Sequence, residues 1–125
     1  MKLFIAAILC LALLVGLCVF GTLVSLRSIG QMLDVLAGTP DDGAAIPPEA
    51  SAAAEKIKTI WEKSEFAISL VHPHGHLDEV EEKITDLCSF ADADDYAAWH
   101  SAGESLKAAL GHLHDLLTAN LDNVM

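Results

Sequence analysis

From Leu3 to Leu26 the chain carries no charged residue. That run, LFIAAILCLALLVGLCVFGTLVSL, is 24 residues long, and as a helix it reaches about 36 Å. A hydrocarbon core is about 30 Å thick, so the segment is long enough to cross a bilayer with modest tilt. A secretory leader is a poorer fit, because its apolar stretch runs to only about 7–15 residues before a small-residue cleavage site. Cys18 follows Leu17, where a lipidated cysteine would follow a small residue. A late cut after Ala37, in VLA, is the remaining cleavage alternative. The expectation is one membrane anchor over 1–27, in contact with lipid through residues 3–26.

The charge bias across this span is small. The free N-terminus and Lys2 stand on one side and Arg27 alone on the other. Lys and Arg favour the cytoplasmic side, so the expected orientation has the N-terminus in the cytoplasm and the remainder outside it. Ala12 and Gly16 form a small-xxx-small pair, of the kind that lets a second helix approach closely.

Beyond Arg27 there are eighteen Asp and Glu against five Lys and no Arg, a net charge of −13 with His neutral. Phosphate binding needs cationic side chains to displace condensed counterions, so no nucleic-acid partner is expected. A basic face for lying flat on an anionic leaflet is also lacking. The partners that fit are cations, a basic protein surface, the flank of another membrane protein, or a second copy. Cys10, Cys18 and Cys88 make no internal disulfide framework, since two lie in the apolar run. They read as small apolar residues.

Past the anchor the apolar residues keep helical spacing. Leu26, Ile29, Leu33 and Leu36 carry the first helix on through a juxtamembrane extension at 28–37. A loop follows at 38–48, where Gly, Pro and Asp concentrate. Pro47-Pro48-Glu49 suits a helix start. The second helix is predicted from Glu49 to Val71, with Ile57, Trp61, Ser64, Ile68 and Val71 on one stripe. Pro73 disfavours helix at His72 and Gly75 loosens the turn, so the third helix is predicted from Leu77 to Phe90. Its stripe is Leu77, Val80, Ile84, Leu87 and Ala91. With Asp92 or Asp94 as cap, the fourth runs from Asp94 to Asn120, its apolar face given by Trp99, Ala102, Leu106, Ala109, Leu113, Leu116 and Leu117. No window alternates with period two. The expected fold is all-α: an N-terminal transmembrane helix followed by an up-down three-helix bundle over 49–125. A core of this size is marginal alone and invites support from the membrane helix or a partner.

The sharpest polar feature is His72-Pro73-His74-Gly75-His76, followed by Asp78 and Glu79. Alternating imidazoles near a carboxylate suit zinc or copper, which makes His72, His74 and His76 the candidate metal ligands. Their spacing matches no established zinc pattern, and a polar turn with exposed histidines is the simpler reading. His112 and His114 lie about 200° apart around a helix and cannot share a face. His100 and Glu104 are spaced for a surface contact. The acidic run Asp78 to Glu82 lacks the ligand spacing of a calcium loop and reads as a solvated face. No nucleophile elbow, phosphate-binding loop or zinc-protease helix occurs. His74 and Asp78 are the only conceivable acid–base pair, with no nucleophile aligned to them. No cofactor and no catalytic residue are expected. Trp61 and Trp99 lie on apolar stripes and read as core.

Taken in order, Ile57-x-x-x-Trp61-x-Lys63, His74-x-x-Leu77-Asp78-x-Val80-Glu81 and Leu121-x-Asn123-Val124 resemble the small bacterial family called domain of unknown function 4363. The resemblance covers most of the chain. It implies a membrane-anchored helical protein of Gram-positive bacteria, with no assigned activity and with a multi-pass membrane protein as partner. By that pattern Trp61 and His74 match recurring positions. Position 76 departs from it, with His76 where an acid is usual, and the loop from Gly38 to Pro48 is richer in proline. The functional expectation is a non-enzymatic accessory protein of the cell envelope that docks on a membrane-protein partner, with Trp61, His74, Leu77, Asp78 and Trp99 as its interaction or packing residues. The alternative is a metal-binding module built on the histidine turn.

Overall fold

The computed structural model describes residues 1–39, 43, 45–71 and 74–124, and of the side chains at 71, 74, 120, 121, 123 and 124 nothing is described. Four helices follow one another: α1 (Lys2–Gly38), α2 (Ala50–Val71), α3 (His74–Asp92) and α4 (Tyr96–Val124). No strand occurs among the described residues. The three helices after α1 run up and down as a bundle. Each packs on its neighbour in sequence, and α1 closes the ring by packing on α2 and, less extensively, on α4.

Most of the predicted stripe residues form the core; the side chain of Val71 lies outside the described residues and Leu116 is only half-buried. Ile57, Trp61, Ser64 and Ile68 on α2 are buried, as are Leu77, Val80, Ile84, Leu87 and Ala91 on α3. On α4 the most deeply buried row is Leu106, Leu110, Leu113 and Leu117, spaced four, three, four. Leu110 belongs to that row, whereas Ala109 only flanks it. Ser64 sits in the core without penalty because its hydroxyl donates back to the Ile60 carbonyl at 2.8 Å.

The first helix has two parts. Residues 1–18 are exposed all round. From Val19 on, one side turns inward, with Gly21, Thr22, Ser25, Ile29 and Met32 buried against the other helices. The second part of α1 thus packs as a fourth bundle helix and supplies the support that the small core invites from the membrane helix. Small residues at Gly21 and Ser25 permit close approach. The two buried hydroxyls donate within α1, Thr22 to the Cys18 carbonyl at 2.8 Å and Ser25 to the Gly21 carbonyl at 2.6 Å. Neither needs a partner from another helix. Ala12 and Gly16 lie on the exposed part, and nothing comes within 4 Å of a Cβ placed on Gly16.

Two helix starts differ from expectation. The third helix begins at His74, not Leu77, so Gly75 and His76 are helical. A glycine costs a helix only about 1 kcal/mol relative to alanine, which is not enough to keep Gly75 out of it. His72 and Pro73 lie outside the described residues. The fourth helix begins at Tyr96, and its cap is Asp95 rather than Asp92 or Asp94. The Asp95 carboxylate accepts from the Ala98 N–H at 3.2 Å, and its carbonyl accepts from the Trp99 N–H at 2.9 Å. Asp94 adopts the left-handed region, φ +56°, while the Asp95 N–H donates back to the Phe90 carbonyl at 3.3 Å. This is a Schellman closure of α3 with an aspartate in the place usually held by glycine. Across the loop before α2, Ile46 packs against the core.

Candidate functional site

Several polar side chains come together in a groove between α3 and α4, with a volume of about 340 Å³. His76, Glu79 and Lys83 line one wall, Ser105 and His112 the other. The antiparallel packing sets this pairing: His76, in the first turn of α3, and His112, in the second half of α4, stand at the same height. Their ring centroids are 5.9 Å apart and the planes tilt by 55°. His114 turns away to Asp115, with Nδ1 and Oδ1 3.8 Å apart. That fits the angular separation of His112 and His114 on the helix.

Of the predicted ligands, only His76 has a described side chain; that of His74 is not described and His72 lies outside the described residues. Among the described residues no group of three or more His, Cys, Asp and Glu is placed to hold a metal ion. The partner of His76 across the groove, His112, is the residue that spacing along the chain does not reveal, because the two meet only through the register of α3 on α4. Asp78, Glu79, Glu81 and Glu82 are all exposed, as a solvated face requires.

The remaining singled-out residues are structural in placement. Trp61, Leu77 and Trp99 are buried. The indole Nε1 of Trp61 has no hydrogen-bond partner among the described residues. His100 stacks on Tyr96 at 5.8 Å, and Glu104 makes an exposed ion pair with Lys107 at 3.5 Å. A cleft near the loop between α1 and α2, edged by Leu36, Ala50, Trp99 and Lys107, has a volume of about 50 Å³. Small-molecule sites typically measure about 300–1,000 Å³, so this cleft has room for ordered water only. Cys10, Cys18 and Cys88 are free thiols. Burial raises the Cys88 pKa above its usual value, and the nearby Glu55 carboxylate adds to the effect.

The largest exposed feature is apolar. Residues 3–18 of α1 present Leu3, Phe4, Ile8, Leu11, Leu13 and Leu17 among others, all about half-exposed or more. The helix is long and apolar enough to cross a membrane, and none of its most hydrophobic stretch is buried within the protein. No protein-family model matches the chain, and neither does any curated protein or solved structure.

Proposed function

We propose that this chain is a membrane-anchored, non-enzymatic accessory protein of the cell envelope, whose acidic helical bundle docks on a membrane-protein partner. The observation that carries the reading is the surface of α1. Sixteen successive residues, 3–18, stand clear of the bundle on every side, and a run of that kind is costly in water and favourable in lipid. The remainder bears a strongly negative net charge and no recognised catalytic motif. The short spacing between rod and bundle, with no linker between them, favours partners that lie in or on the same membrane. The charge bias around α1 favours a cytoplasmic N-terminus and an extracytoplasmic bundle. The residues from Ile57 to Lys63 and from His74 to Glu81 support membership of the domain of unknown function 4363 as part of the same proposal.

Alkaline extraction of membranes tests the anchor: the intact chain stays with the lipid pellet, and release into the supernatant overturns the reading. Crosslinking in intact membranes followed by mass spectrometry tests the docking. A membrane protein recovered with the bundle supports it, and recovery of the isolated monomer alone refutes it. A crosslinked pair of identical chains would replace the partner with a second copy.

A further inference from the structure

The exposed rod is too short to do all the spanning. Residues 3–18 cover about 24 Å as a helix, against about 30 Å of hydrocarbon. The missing length is about four residues, Val19 to Thr22, and of these Gly21 and Thr22 are already buried in the bundle while Phe20 stays exposed. Either the bilayer thins or the end of the bundle enters it.

A second observation bears on the choice. Among the described residues the exposed large hydrophobic side chains fall in two places: on α1 up to Leu23, and at Phe66 and Leu70 of α2. Phe66 is 75% exposed and Leu70 41%, and at four residues apart they share one face. Their height follows from the packing of α2 on α1. Val35 shares a groove with Lys56 and Ile60, and Gly38 shares one with Ala52 and Ala53. Carried along two antiparallel helices of equal rise, this register sets Leu70 level with about residue 21 of α1 and Phe66 with about residue 25. Both therefore lie where the bundle meets the boundary of the hydrocarbon. Phe20 and Leu23, exposed on α1, stand at the same level.

We infer that this end of the bundle is seated in the lipid interface, with Phe66 and Leu70 inserted at the boundary of the same bilayer that α1 crosses. The inference rests on the anchored reading of α1. The seating is tilted. α2 and α4 occupy opposite corners of the ring, since α1 and α3 each pack between them. The α3 and α4 corners carry exposed Asp78, Glu79, Asp115 and Asp122 toward the same end, and carboxylates avoid lipid. Lowering the α2 corner and raising the α3 and α4 corners satisfies both, and a tilted α1 is normal for a membrane helix.

The test uses the full chain in phospholipid vesicles, with one cysteine per variant carrying an environment-sensitive fluorophore. Native Cys10, with Cys18→Ser and Cys88→Ser, reports the anchor. Phe66→Cys and Leu70→Cys report the seating, and Glu62→Cys, one turn further from the membrane on α2, is the water-exposed reference. Those three variants also carry Cys10→Ser, and circular dichroism confirms unchanged helicity in each. With lipids bearing a quencher near the top of the acyl chains, emission is lost at 66 and 70 but not at 62, and a water-soluble quencher gives the reverse order. Loss at Cys10 with 66 and 70 behaving like 62 overturns the seating and leaves the anchor standing. No loss at Cys10 overturns both.

Discussion

Replacing Ile29 by Ala removes a side chain that sequence reading places on a juxtamembrane extension of the anchor and the structure places in the core. Ile29 and Met32 are both fully buried. Truncating a buried Ile to Ala costs about 2–5 kcal/mol, the spread depending on how far the surroundings collapse into the cavity. With a urea dependence of about 2 kcal/mol per molar, the middle of the range for a small protein, the unfolding midpoint falls by roughly 1–2.5 M. The loss is large because a domain of this size holds only about 5–15 kcal/mol in total. The measurement is urea unfolding of the full chain in mild detergent, followed by far-ultraviolet circular dichroism and by the fluorescence of Trp61 and Trp99. Gln31→Ala, at an exposed position two residues away, is the control. A midpoint for Ile29→Ala equal to that of Gln31→Ala refutes the argument, because the second part of α1 would then lie against the bundle without belonging to its core. The same logic applies to truncation. Removing residues 1–18 leaves cooperative unfolding, whereas removing residues 1–38 leaves three helices with an uncovered apolar face and a broad, non-cooperative transition.

The remaining predictions concern local features. Asp94 pays for its left-handed backbone, so Asp94→Gly is neutral or stabilising while Asp94→Val costs about 1–2 kcal/mol, read as a shift in the thermal midpoint. Asp95→Ala removes the α4 cap and costs about 1 kcal/mol, whereas Asp95→Ser retains most of the stability. For Cys88 the folded-state pKa lies above the usual 9.0, so the folded chain holds its proton more tightly than the unfolded one. Stability from this group is complete below pH 9.0 and declines as pH rises through the higher folded value, a decline that Cys88→Ala abolishes. By the same cause Cys88 reacts with iodoacetamide at pH 8 more slowly in the folded chain than in urea, and equal rates would contradict its burial.

Most of the helical framework was legible without tertiary information, because helix formation and the four-three spacing of buried residues are local properties of the backbone. The stripe from Ile57 to Ile68 and the stripe from Leu77 to Ala91 needed only that period. The long uncharged run from Leu3 likewise declares itself by composition. The helix starts were less legible, since Asp92, Asp94 and Asp95 are chemically equivalent as caps and only the left-handed turn at Asp94 selects among them. The candidate site was hardly legible at all. His76 and His112 are 36 positions apart and meet through the register of two helices.

What the amino-acid order determined alone is therefore where the chain is helical, which side of α2, α3 and α4 is apolar, and that α1 begins as a lipid-compatible rod. Tertiary structure decided where that rod stops. Thr22 and Ser25 look like ordinary membrane-helix residues until other helices cover them, and Phe66 and Leu70, already off the buried stripe of α2, gain their level beside the anchor only from how α2 packs on α1. The reason is physical: periodicity fixes the faces of a helix, but which length of each face is covered depends on how helices distant in sequence slide and turn against one another.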